Sequence, residues 1–257
     1  MCEIFGVSSQ NDFTANGYLR TFFSHSSHHP HGWGLACLSR ESALVEKESI
    51  RASDSNYLKE RLSQAVSAKL ILAHIRYATI GNVEYKNCHP FTARDNTGRR
   101  WTLIHNGTIF DYPPLNSYVQ KQNGDTDSER IILYLIERLN EAQNKKGARL
   151  EFAERFDLFD AIICDMAKDN KLNLLFSDGK YLYAHTNCRG TLFYLTRENT
   201  TLFATVPLSE EAWQPLPFTR LLAFYKGKLF RTGTNHGHEY FESEESMKLL
   251  YRIFANL

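Results

Sequence analysis

Short runs of β-branched, aromatic and apolar residues, each closed by Gly, Ser, Asn or Asp, recur on both sides of two consecutive helical patterns, and no other feature restricts the fold as tightly. EIFGVSS (residues 3–9), GWGLACLS (32–39), ALVEKES (43–49), KLILAHIRYAT (69–79) and WTLIHNGTI (101–109) read as strands, because branched and aromatic side chains suit a pleated, half-buried surface. A second set begins near residue 172. There LNLLFSDGKYLYAHT turns at Asp178-Gly179 and LLAFYKGKLFRTG turns around Lys226-Gly227-Lys228, both hairpin signals that predict antiparallel pairing. Between the sets, DSERIILYLIERLNEAQ (127–143) places Ile131, Leu135 and Leu139 on one helical face, with Asp127 or Ser128 as the expected cap. GARLEFAERFDLFDAIICDMAKD (147–169) has the same period, and SNYLKERLSQAV (55–66) reads as a weaker helix. This order predicts an α+β chain with helices packed on antiparallel sheets, and no linker divides it, so a single domain over residues 1–257 is expected.

The chemistry expected of such a chain is narrowed by its balance of charge. Lys plus Arg (30) nearly equals Asp plus Glu (29), so no strong field favours nucleic acid or an anionic membrane. No apolar run approaches the roughly 18–20 residues that span a bilayer, and the first residues lack a basic region followed by an apolar one. Five widely spaced cysteines without a C-x-x-C pair argue against a disulfide framework or a structural zinc knot. The expectation is a cytoplasmic protein with reduced thiols, no cofactor and no metal, acting on a small molecule or with another protein.

Four local constellations could carry a reaction. Cys2 becomes the terminal residue once Met1 is removed. Its α-amine, with a pKa of about 7.7–8.0, would then be a base on the same residue as the thiol nucleophile. AHIRYATIG (73–81) brings Arg76 and Thr79 to a strand end, where a guanidinium can grip a carboxylate; it can equally be a solvated or structural ion-pairing group. In IHNGTI (104–109), Asn106-Gly107 reads in isolation as a turn, and functionally as an oxyanion hole built from the Asn106 carboxamide and the Gly107 backbone N–H. In NGDTDSER (123–130), Asp127 is either part of a helix start or a carboxylate that receives an ammonium group.

Taken in order, Cys2, RYAT, HNG and TDSE strongly resemble the class II glutamine amidotransferases, members of the N-terminal nucleophile (Ntn) hydrolases. HGWGLA (31–36), CHPF (88–91), LLFSDG (174–179) and TVPLSEEAW (205–213) extend the resemblance to the stand-alone amidotransferase proteins of the YafJ type, over roughly residues 2–230. The resemblance implies a four-layer αββα sandwich. It also implies that Cys2 attacks the γ-carboxamide of glutamine or of a small γ-glutamyl compound, forming a thioester that water hydrolyses to glutamate. Asn106 and Gly107 would stabilise the oxyanion, Arg76 and Thr79 would hold the α-carboxylate, and Asp127 the α-ammonium. Ile80 stands where sugar-phosphate relatives carry His, and His31 where close relatives commonly carry an acidic residue.

Two alternatives accompany this reading. One is an ammonia-donating subunit serving a separate synthase, since about 27 residues beyond the last motif cannot form a synthase domain. The other is a non-catalytic metal-binding protein built on HSSHHPHG, where His25, His28, His29 and His31 fall within seven residues. Pro30 favours a loop there, and a solvated loop is the plainer expectation.

Overall fold

A computed structural model of the chain describes residues 2–39 and 42–242. Its first sheet contains β1 (Glu3–Thr14), β2 (Trp33–Leu38), β3 (Ala43–Glu48), β4 (Ser67–Ile75), β9 (Phe193–Arg197), β10 (Thr200–Ala204) and β11 (Gln214–Pro215), in the order β11-β9-β10-β1-β4-β2-β3. Its second contains β5 (Phe91–Arg94), β6 (Arg100–Thr108), β7 (Lys171–Ser177), β8 (Leu182–His185), β12 (Leu222–Tyr225) and β13 (Lys228–Thr232), ordered β13-β12-β8-β7-β6-β5. Every pairing is antiparallel. The two hairpins expected from sequence are present as β7–β8 and β12–β13, and Lys226 and Gly227 both take the positive φ that such a tight turn requires.

The alternation of each strand builds three apolar layers. On β1, Phe5 and Val7 pack on α1 (Asn16–Ser24) and α2 (Asn56–Ser63), through Leu19, Phe22, Phe23, Leu58 and Leu62. Ile4 points the other way and joins Leu70, Leu72, Ile104, Leu175 and Phe203 between the sheets. On the far side, Leu103, Leu174 and Phe176 meet α3 (Asp127–Lys146) and α4 (Phe152–Met166), through Ile131, Leu135, Leu139, Phe156 and Phe159. Helices, sheet, sheet, helices is the αββα sandwich that was expected.

Some local expectations need correction. Thr126, not Asp127 or Ser128, caps α3 by accepting from the Glu129 N–H, which leaves Asp127 as the first helical residue. The pattern at 147–169 becomes a helix only from Phe152, because Gly147 ends α3 in the left-handed conformation and Glu151 and Glu154 form a reciprocal capping box. Helix α1 has no strong sequence signal and follows from the apolar triplet Leu19, Phe22 and Phe23 covering the sheet.

The layer between the sheets is tight enough to test. A Cβ on Gly6 would lie 2.8 Å from Leu175 Cδ1. Leu175→Ala is expected to cost about 2–5 kcal/mol of unfolding free energy. Gly6→Ala alone should cost about 1–3 kcal/mol by overpacking. The double variant should lose less than the sum, because the new methyl fills space the leucine vacates; denaturant melts of the four proteins measure this.

Candidate active site

Strand register assembles the site at one end of the sandwich. Glu3 pairs with Ile75, so Cys2 lies beside Arg76, on the side that Ile4 presents to the second sheet. The Cys2 thiol donates to the Tyr77 carbonyl and its sulfur accepts from the Tyr77 N–H, both at 3.3 Å. Burial pushes the thiol pKa up, while the Tyr77 amide and the Arg76 charge pull it back and Asp127 adds to the rise. Arg76, Asp127 and Cys2 therefore share one field. Met1, whose removal the sequence reading invokes, lies outside the described residues.

Asn106 and Gly107 are not a turn: both sit within β6, paired to Asn173 and Leu172 of β7. A Cβ on Gly107 would lie 2.0 Å from the Lys171 carbonyl, so the close approach of β7 is what demands glycine. Asn106 alternates with Ile104 toward the other sheet, and its buried Oδ1 has no hydrogen-bond partner. Nothing among the described residues thus holds that oxygen in place, and the carboxamide is free to serve a ligand.

Arg76 is 2% exposed, and its guanidinium is partly committed. Nη2 donates to the carbonyls of Ile80 and Gly81 and Nη1 to that of Asn82, each at 2.9 Å, which organises the loop carrying Thr79. One Nη1 N–H and the Nε N–H remain. The Thr79 side chain, half-buried in this loop, makes no hydrogen bond to the described residues. Asp127 accepts from the Ile109 N–H through Oδ2 and from the Ser128 N–H through Oδ1, both at 2.8 Å, so the start of α3 and the end of β6 fix its carboxylate. The structure brings all six sequence candidates to this end of the sandwich.

Residues that sequence reasoning passed over tie these parts together. Asn87 donates to the Asn82 carbonyl and to Asp125 while accepting from the Asp125 N–H, joining the Arg76 loop to the Asp127 loop. Glu129 accepts from the N–H groups of Asn123 and Gly124. His105 faces Ser128 through Nδ1 at 3.0 Å and the Lys171 carbonyl through Nε2 at 3.2 Å; because a carbonyl only accepts, Nε2 carries a proton. Beneath the site His74 and His89 stack at 3.9 Å, and none of their four ring nitrogens has a hydrogen-bond partner among the described residues. Such pairings cross long sequence separations, and no local motif announces them.

The histidine-rich loop departs from both of its expectations. Among the described residues no three His, Cys, Asp or Glu side chains converge as a metal site, and all five cysteines are free. Nor is the loop merely solvated. His29 is 7% exposed, His25 Nδ1 donates to Glu3 at 2.9 Å, and His31 Nδ1 accepts from the Ala78 N–H at 2.9 Å.

Burial holds His74 and His89 well below the ordinary imidazole pKa, with Arg76 adding to the effect on both, and it pushes His185 down to about 3. The unfolded chain then binds protons that the folded chain refuses. Stability should be level above about pH 7 and fall as pH drops through about 6.5, the ordinary histidine value. Thermal melts across pH 5–8 measure this, and a melting temperature that rises on acidification would contradict it.

With the geometry in place, comparison with known proteins is informative. Residues 1–200 match the family model of class-II glutamine amidotransferases. An uncharacterized protein of Methanocaldococcus jannaschii is 29% identical over 89% of this chain and 70% of its own length. YafJ of Escherichia coli is 28% identical over 77% of this chain and 76% of its own. The crystal structure of a predicted glutamine amidotransferase from Pseudomonas aeruginosa superposes with a TM-score of 0.66 at 21% identity, over 90% of this chain and all of that one. Glutamine phosphoribosylpyrophosphate amidotransferase from B. subtilis gives 0.64 at 16% identity, over 91% of this chain and 49% of its own, a likeness of fold. No helix among the described residues is long and apolar enough to cross a membrane.

Proposed function

Because the chain belongs to the class-II glutamine amidotransferases, we propose that Cys2 is its nucleophile and that it cleaves the γ-amide bond of glutamine or of a small γ-glutamyl compound. The observation that carries the reading is the thiol held by Tyr77 in the shared field of Arg76 and Asp127. Once Met1 is removed, the α-amine of Cys2 takes the thiol proton as sulfur bonds to the carbonyl carbon of the γ-carboxamide. Negative charge collects on the former carbonyl oxygen, where the Asn106 carboxamide and the Gly107 N–H stabilise it. The α-ammonium then returns the proton to the departing nitrogen as the C–N bond breaks, which leaves a γ-glutamyl thioester. Water, activated by the same amine, attacks the thioester carbon; the C–S bond breaks, glutamate leaves and the thiol regains its proton.

The head of the substrate is a zwitterion and needs opposite charges at fixed separation. Asp127 receives the α-ammonium, and its two backbone hydrogen bonds pin its oxygens before substrate arrives. Arg76, through its remaining donors and its charge, and the unengaged Thr79 hydroxyl receive the α-carboxylate. Ile80 adds no donor there, so this side of the head rests on those two residues. Water is the acceptor of the γ-glutamyl group in either reading; the alternative is that a separate synthase takes up the ammonia released when the thioester forms.

Glutamate release from glutamine and a panel of γ-glutamyl amides and peptides tests the proposal. Cys2→Ala should abolish release, and intact mass should show the active protein without Met1. Activity in a chain that retains Met1 would sink the α-amine mechanism. Asn106→Ala should lower kcat by about 100- to 1,000-fold with a smaller change in KM, as expected for loss of an oxyanion donor. Asp127→Ala should chiefly raise KM, and only for substrates with a free α-amine.

A further inference from the structure

The histidine-rich segment was the one sequence motif left without a role in the chemistry, yet it contacts the residues that flank the proposed nucleophile from two sides. From one side, His25 donates to Glu3, the residue after Cys2, and His29 Nε2 lies 3.8 Å from the same carboxylate. From the other, His31 grips the segment that holds the sulfur. Its backbone N–H donates to the Arg76 carbonyl at 3.0 Å, its ring packs on Tyr77 with centroids 5.2 Å apart, and its Nδ1 accepts from the Ala78 N–H at 2.9 Å. The grip is closed by the Arg76 N–H, which donates to the Gly32 carbonyl at 2.8 Å. Gly32 has φ +138°, and a Cβ there would lie 2.6 Å from Cys88 Sγ, so the turn that aims His31 admits no other residue without rearrangement.

Because an amide N–H only donates, His31 Nδ1 must be unprotonated for this contact to exist, and the ring's proton sits on Nε2. We infer that His31 is a positioning residue: its neutral ring fixes residues 76–78, so that the Tyr77 backbone holds the Cys2 sulfur in line for attack, and its protonation releases them. The inference rests on Cys2 being the nucleophile. Among the described residues, the titratable or charged groups that His31 meets are Arg76 and Tyr77 in the segment it holds; Cys88 stands behind Gly32, Cys2 lies beyond Tyr77, Glu3 lies beyond His25, and His25, His28 and His29 precede it in sequence. Burial, then the Arg76 charge, lowers its pKa, so the neutral form prevails at neutrality and the contact fails only on acidification.

Two substitutions separate positioning from packing. His31→Phe keeps a ring against Tyr77 and deletes the acceptor. His31→Asn keeps an acceptor oxygen near the Nδ1 position and gives up the ring. At pH 8, His31→Phe should lower kcat/KM for glutamate release about tenfold, the scale set by one buried N–H left unpaired, and His31→Asn should recover to within about threefold of wild type. In wild type the slope of log kcat/KM against pH, about 1 below the α-amine titration, should steepen to about 2 below the His31 titration, whereas in His31→Asn it stays near 1. Alkylation of Cys2 by iodoacetamide, followed by mass, should rank the three proteins in the same order without any substrate. Wild-type activity in His31→Phe, equal loss in both variants, or a wild-type slope that never steepens would overturn the inference. Absence of glutamate release from wild type, with the alkylation order intact, would instead count against the substrate reading and leave the positioning role standing.

Discussion

The pairing of β1 with β4 is the constraint on which the rest of the site depends. It is an antiparallel ladder in the register Glu3 to Ile75, and it sets the thiol just before the chain's first strand beside the arginine just after a strand some seventy residues later. A slip of β1 by one residue would turn Cys2 and Ile4 to the face opposite His74 and Arg76 and take Ile4 out of the layer between the sheets, so the apolar alternation that builds the core also places Cys2 beside Arg76. The second sheet then supplies Asn106 and Gly107 from the end of β6, and α3 starts where its first residue, Asp127, can bond the backbone following that strand.

Around that ladder the polar groups divide into those that are satisfied and those that are not. Asp127, Asn87 and Glu129 are held largely by backbone groups, so the loops that carry the proposed substrate contacts are already ordered by the protein itself. Asn106 Oδ1 and the four ring nitrogens of His74 and His89 are buried without partners among the described residues. Leaving such atoms unpaired costs stability, and these five lie at the same end of the sandwich as the proposed site.

Much of this was legible beforehand for identifiable reasons. The strands are bounded by strong turn residues, two helices carry clear 3.6-residue periods, and the family motifs are short blocks whose order along the chain is distinctive. Where the sequence left alternatives, the structure decided between them for one kind of reason. Asn106-Gly107 has turn chemistry in isolation but lies in the strand expected over 101–109, because pairing with β7 outweighs local preference and Lys171 leaves no room for a side chain. The histidines of residues 25–31 looked like ligands or a solvated loop, because nothing local reveals that Glu3 and Ala78 are their partners.

By itself, the sequence determined an α+β chain with helices on antiparallel sheets, since period and turn chemistry are properties of the chain, and the order of its short motifs carried the family resemblance that implied the αββα sandwich and the candidate nucleophile. Only the tertiary structure decided that Tyr77 holds the sulfur through its backbone, that Arg76 spends most of its donors on its own loop, and that His31 must be neutral to grip Ala78. Backbone groups are alike in every residue. Which of them meets a side chain is settled by register and packing, and those are fixed when the two sheets close on one another.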